Sequence, residues 1–179
     1  MIKMIKFRDL ENSEIELLKN FLGYYGESIY NKLTKPNRFL IGDGNKKEFF
    51  LISQELYNIY LKIKELKTPY YLGNYFGELK GNKFLFSLNS LKLLIKFTNK
   101  KIQVNKKGEI RYIYGKDLKS NHISQIFSNF NSYEKVIVIN YKMEVLGLGL
   151  TLNPIKKEFN KNIKIKNILD LGWYLRKGN

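Results

Sequence analysis

The sequence predicts an α+β protein in two parts. The first, residues 1–98, should be an antiparallel sheet with packed helices; the second, residues 99–179, a small closed β structure with short helices and a cationic face. Three observations carry this expectation. Between Glu134 and Arg176 the apolar runs are short and β-branched or glycine-bearing, as strands of a closed sheet require. Before residue 98, helical stripes alternate with hairpins whose turns are rich in glycine. Finally, the formal net charge is +16, and residues 100–179 hold 16 Lys and Arg against 6 acids where residues 1–99 hold 16 against 10.

In chain order, Ser13 and Glu16 fit a capping box, and Ile15, Leu18, Leu22, Tyr25 and Ile29 form the stripe of one helix ending before Pro36. Residues 38–41 and 47–52 read as strands flanking a Gly-Asp-Gly-Asn turn. Ser53 then caps a second helix carrying Leu56, Ile59, Tyr60, Ile63 and Leu66, which Thr68-Pro69 ends. Residues 70–79 and 83–86 form another hairpin around Lys80-Gly81-Asn82, and Ser87 or Asn89 opens a third helix through Leu91, Leu94 and Ile95. A polar link, Thr98 to Lys101, separates the parts. Beyond it a strand at 102–104, a turn at 105–108, a strand at 110–114 and a short helix within 117–126 are expected.

The strand Val136–Ile139, a polar turn at 140–144 and the strand Val145–Leu150 follow. Gly147 and Gly149 weaken that strand, so their alternate placement implies a close backbone approach or a bend in a barrel wall. In Ile163-Lys164-Ile165-Lys166 the isoleucines should face inward and the lysines outward.

The charge points to a polyanionic partner, nucleic acid first. Richness in Lys, Asn and Ile also marks an AT-rich genome, and the only arginines are Arg8, Arg38, Arg111 and Arg176; the stronger cationic excess of the shorter half is not explained by that bias. Lys156, Lys157, Lys161, Lys164 and Lys166 are the candidates for phosphate contact, because residues 153–179 carry seven Lys and Arg against Glu158 and Asp170. The chain has no cysteine, which removes disulfides and thiolate metal sites and favours an intracellular setting. No apolar run reaches the roughly 20 residues of a membrane span, and the first residues lack a signal-peptide core.

Little supports chemistry. His122 is the single histidine and is expected to be structural. There is no G-x-S-x-G, no phosphate-binding G-x-x-x-x-G-K-[ST], and the third glycine of a dinucleotide fingerprint is replaced by Leu152. No enzyme activity, metal or cofactor is expected.

Several segments resemble a known family. Lys119-Ser120, Val136–Ile139, Leu146-Gly147-Leu148-Gly149 and Asp170-Leu171-Gly172-Trp173-Tyr174-Leu175-Arg176 look like a PUA domain, an RNA-binding module. Residues 39–55, Leu72-Gly73-Asn74-Tyr75-Phe76-Gly77 and Lys83–Phe86 with Leu91 resemble the pre-PUA domain of the Nip-seven family of large-subunit (60S) ribosome biogenesis factors. The resemblance runs from about Glu14 to Arg176 and implies a pre-PUA domain followed by a PUA-type β-barrel. It implies a non-enzymatic factor that binds precursor rRNA, on single-stranded uridine-rich segments, during large-subunit assembly and pre-rRNA processing. The family's basic pair after the glycine strand falls on Lys156 and Lys157, with Lys161 and Lys164 nearby and Lys119 in the preceding loop; family members often carry arginine there. Other assembly factors are the implied protein partners, with no membrane and a monomeric state. An archaeal cytoplasm is the expected location, or the nucleolus in a eukaryote. The alternatives are a protein-interaction adaptor and the RNA-recognition part of an RNA-modifying system.

Overall fold

The computed structural model describes residues 6–66, 69–158, 162–173 and 176. The chain divides into two compact units, Met1–Ser90 and Leu91–Asn179.

In the first unit β1 (Lys6–Asp9), β2 (Asn37–Asp43), β3 (Lys47–Ser53), β4 (Asn74–Lys80) and β5 (Lys83–Phe86) form a five-stranded antiparallel sheet in sequence order. The strands β2 and β3 are buried over four consecutive residues, 39–42 and 49–52, because helices cover both faces. One face meets α1 (Asn12–Gly23) and α2 (Ile29–Thr34), with Phe21 against Phe84, Tyr25 against Phe86 and Tyr30 against Phe39. The other carries Phe7, Leu40, Phe50 and Ile52 beneath Tyr57 and Tyr60 of α3 (Gln54–Ile63). The Ser53 hydroxyl accepts from Leu56 N at 3.2 Å, so the expected cap of this helix is present. Before α4 (Leu88–Leu94), Ser87 Oγ accepts from Ser90 N.

Two details of this unit correct the sequence reading. The capping box at the first helix is Glu11 with Glu14, not Ser13 with Glu16, and Glu14 Oε2 accepts from Glu11 N at 2.9 Å. The single long helix is two, broken over residues 24–28; Leu22, Tyr25 and Ile29 stay buried through the break, so the apolar spacing survives where the helix does not. Glu14 is also an ionic centre. Arg8 donates to both of its oxygens, at 2.8 and 2.9 Å, and Lys47 Nζ lies 2.7 Å away.

The second unit is a curled six-stranded sheet in the order β7–β11–β10–β9–β6–β8. Its strands are β6 (Lys101–Val104), β7 (Leu118–Lys119), β8 (Ile123–Ile126), β9 (Lys135–Ile139), β10 (Val145–Thr151) and β11 (Lys164–Asp170). All pairings are antiparallel except β6 with β9. The two edge strands, β7 and β8, are joined by only the 3₁₀ turn Ser120–His122. The sheet therefore curls nearly into a barrel whose seam lies at that turn. Inside it pack Ile102, Val104, Val136, Val138, Leu146 and Ile165, closed on one side by Tyr112 of α5 (Lys106–Ile113).

The glycine pair behaves as its position implied. A Cβ on Gly147 would collide with the Leu169 carbonyl, and one on Gly149 with Ile165 Cγ2, so β11 sits against bare backbone. Register shifts fall beside both glycines, between Val145 and Gly147 and between Leu148 and Gly149, where the wall bends.

Two elements of this unit differ from expectation. Residues 105–113 are not turn and strand: Asn105 Oδ1 accepts from Gly108 N at 2.9 Å and caps α5. The helix buries only Gly108 and Tyr112, one turn apart, and at Gly108 a Cβ would strike the His122 carbonyl. Residues 117–126 are not a helix but β7, the 3₁₀ turn and β8. That turn brings His122 inward, and it places the edge strands side by side.

Candidate nucleic-acid interface

The cationic face is built on β7, β11 and the loop between β10 and β11. Lys119 and Lys164 are register partners across the β7–β11 pair, while their neighbours Leu118 and Ile165 pair inward and are buried. Both lysines are exposed. The alternation anticipated for residues 163–166 is present, with Ile163 and Ile165 buried and Lys164 and Lys166 outward.

The loop carrying Lys156 and Lys157 is held at several points. Phe130 and Ile155 form an isolated antiparallel bridge, with N–H···O bonds of 2.8 and 2.9 Å, and Ile155 is fully buried. The Lys157 amide donates to Asn129 Oδ1 at 2.7 Å. Asn153 joins the ends of the loop: its Nδ2 donates to the Asn162 carbonyl and its Oδ1 accepts from Lys164 N at 3.0 Å. Both Lys156 and Lys157 are exposed. Lys161 lies outside the described residues.

The 3₁₀ turn that carries Lys119 into the seam is fixed from both sides. Lys119 N donates to His122 Nδ1 at 2.9 Å, and the His122 carbonyl accepts from Asn105 N at 3.0 Å. From β11, Ile163 N donates to Ser120 Oγ at 2.7 Å. Burial, with Arg111, Lys107 and Lys119 adding positive charge, pushes the His122 pKa below its ordinary value. The imidazole is thus a neutral acceptor inside the fold, the structural role expected of it.

Five of the six acids of this unit are occupied elsewhere; the sixth, Glu158, is exposed and directly follows Lys157 in the lysine loop. Asp170 binds Arg176 at 2.7 Å, Glu134 binds Lys100 at 3.3 Å, and Glu109 and Glu144 both accept from Asn140 Nδ2. Asp117 Oδ1 accepts from the Asn167 amide. Among the described residues no salt bridge reaches Lys119, Lys156, Lys157, Lys164 or Lys166. Like charges facing each other on neighbouring strands destabilise a sheet, so folding alone gives no reason for the Lys119–Lys164 pair. A polyanion laid across them would remove the repulsion.

Beside this face lies a cleft of about 410 Å³ along the barrel seam. Its apolar walls are Ile123, Ile126 and Ile163; Ser120, Ser124 and Gln125 supply polar groups, and Lys157 completes it. Of the seam residues, sequence reasoning named Ser120, Lys157 and Ile163 but not Ile123, Ser124, Gln125 or Ile126, and it did not single out Asn129 or Asn153. Their roles arise from pairings across 9 to 43 positions of chain, which leave no local pattern. Among the described residues no helix is long and apolar enough to cross a membrane, and no group of three or more His, Cys, Asp or Glu is arranged to hold a metal ion.

Comparison with known proteins matches the two halves in order. Residues 7–88 match the NIP7/UPF0113 pre-PUA domain, and residues 100–179 match the UPF0113 PUA domain. A UPF0113 protein of Archaeoglobus fulgidus is 31% identical over 173 residues, covering 95% of this chain and 94% of that protein. The 60S ribosome subunit biogenesis protein nip7 of Schizosaccharomyces pombe is 22% identical over 157 residues, 86% of this chain and 87% of the yeast protein. A conserved PUA domain protein from Thermoplasma acidophilum shares the fold with a TM-score of 0.57 at 12% identity, over 97% of this chain and 99% of that one. A hypothetical protein from Pyrococcus horikoshii OT3 does so with a TM-score of 0.59 at 13% identity, over 95% and 99%. With both domains matched in sequence order and an archaeal relative alike along nearly its whole length, the chain belongs to the NIP7/UPF0113 family.

Proposed function

We propose that this protein is a ribosome biogenesis factor whose PUA domain, residues 99–179, binds single-stranded precursor rRNA through Lys119, Lys156, Lys157, Lys161 and Lys164. The observation that carries the reading is the Lys119–Lys164 register pair, exposed, opposed and without an acidic partner among the described residues. Family membership and the name of the yeast relative, a 60S biogenesis protein, support the assembly context. In this reading the role is one of binding, and the single histidine, His122, serves the fold as an acceptor.

The pre-PUA domain, residues 1–98, is the surface for other assembly factors in this reading. The outer face of α3 supports it. Tyr57 and Tyr60 face the sheet, whereas Ile59, Ile63 and, just beyond the helix, Leu66 recur at helical spacing on the solvent side, with Leu66 86% exposed. The test is crosslinking of the protein to RNA in its host and sequencing of the RNA recovered. Enrichment of precursor large-subunit rRNA is expected. Recovery of proteins alone would favour an adaptor whose charge serves solubility.

A further inference from the structure

The lysine face explains attraction to phosphate but not how a base is met. We propose that the seam cleft takes one unstacked nucleobase of the bound strand and that the free edge of β8 reads it. This rests on the RNA-binding reading and extends it from backbone to base.

The cleft matches the two-sided chemistry of a nucleotide. Its walls, Ile123, Ile126 and Ile163, suit the faces of a base, and Ile163 is buried. Exposed lysines stand next to these walls: Lys157 lines the cleft, Lys119 precedes Ser120, and Lys164 follows Ile163. A strand tracking the lysines would keep its phosphates in solvent with a base turned inward, the combination of cationic groove and apolar platform that single-strand binders use.

The hydrogen-bonding groups come from an unpaired sheet edge. β8 is the outermost strand, paired only with β6. Gln125 lies opposite Gln103, and Phe127 N donates to the Lys101 carbonyl. With the two-residue period of an antiparallel ladder, the N–H and C=O groups of Ile126, between these two positions, therefore point away from β6, where no strand follows; Ser124 is the extra residue of a register shift, with Ile123 opposite Val104. Adjacent donor and acceptor groups of this kind complement the donor and acceptor edge of a base. Ser124 Oγ is already committed to Gln103, at 3.1 and 3.3 Å, but the Gln125 amide makes no hydrogen bond among the described residues. It is the side chain available to add to the readout, and its amide can both donate and accept.

The test compares an oligouridine with the same sugar–phosphate strand made abasic at its central positions, each titrated into the full chain, wild type and Gln125→Ala. The base-bearing strand is expected to bind wild type about three- to tenfold tighter, the loss of one base contact. Gln125→Ala should narrow that ratio by about threefold without changing the salt dependence, since it removes no charge. Amide hydrogen exchange of wild type supplies a readout independent of the variant: the Ile126 amide should slow with the base-bearing strand and not with the abasic one. Equal affinity for the two strands, or equal protection of β8 by both, would overturn the base site while leaving phosphate binding intact. Binding of neither strand would overturn the RNA-binding reading itself, and the base site with it.

Discussion

Replacing Lys119 with glutamine should make the barrel more stable and its RNA affinity weaker at the same time. The two lysines are directly opposed on β7 and β11, and neither has an acidic partner among the described residues. Two ammonium charges at a separation of about 7 Å in water repel by ~0.6 kcal/mol, reduced to ~0.3 kcal/mol at 0.15 M ionic strength, where the screening length is about 8 Å. This falls within the roughly 0.2–1 kcal/mol typical of cross-strand pairs. At ~2–4 °C per kcal/mol for a chain of this size, Lys119→Gln should raise the Tm by about 1 °C at 0.15 M salt and by somewhat more at 0.01 M. Fluorescence of Trp173, the only tryptophan, reports on this unit selectively. The same variant should shallow the dependence of log K on log salt by ~0.7, one phosphate contact on a single strand. A lower Tm would show that Lys119 packs usefully in the fold. A Tm gain equal at both salts, with unchanged RNA affinity, would refute the electrostatic reasoning.

Other outcomes follow from the same structure. Glu14→Ala should destabilise the N-terminal unit by about 3 kcal/mol, the lower end for breaking a buried ion pair because Arg8 keeps a third of its side chain in solvent, as measured by urea unfolding followed by circular dichroism. Hydrogen bonding from Arg8 leads the effects that lower the Glu14 pKa from 4.5 to about 2. A carboxylate depressed in the folded state contributes stability above its unfolded pKa, so wild type should lose this contribution as pH falls from about 4.5 towards 2, and Glu14→Ala should lack that dependence. The His122 pKa is also lowered by folding, so its contribution is complete above about 6.5 and declines as acid protonates the ring. His122→Ala, which leaves Lys119 N without its acceptor, should cost about 1–2 kcal/mol by Trp173 fluorescence. Gly147→Ala should destabilise the barrel by about 3 kcal/mol or more, since the added methyl meets the Leu169 carbonyl, and a loss below 1 kcal/mol in the same assay would show that β11 can retreat.

The parts of the fold legible in the sequence are those decided locally. The hairpins at 37–53 and 74–86, the Ser53 cap, the strand 135–139 and the alternation after Ile163 follow from turn residues and period-two burial. The glycines of β10 were legible as a close approach, although not what approached. Failures occurred where a tertiary contact overrode local pattern. Asn105-Lys-Lys-Gly108 has the composition of a turn, yet Gly108 is needed for the helix to lie against the His122 carbonyl, and the Asn105 side chain serves as a cap. Residues 117–126 have a helix-compatible mix, but Leu118 pairs with Ile165 and Ile126 with Ile102, giving two edge strands. The candidate site shows the same division. Its lysines could be named from charge density, whereas the opposition of Lys119 and Lys164 and the seam beside them depend on residues 45 positions apart.

The most direct test is the salt dependence of binding to a fluorescent uridine-rich single strand, followed by anisotropy alongside a matched duplex. With five phosphates neutralised, one for each of the assigned lysines, log K should fall against log salt with a slope of about −3.5, and the single strand should bind more tightly than the duplex. Joint Lys156→Gln and Lys157→Gln substitution should shallow the slope by about 1.4. A slope unmoved by that double substitution, or no binding to either nucleic acid, would contradict the assignment of this face to RNA.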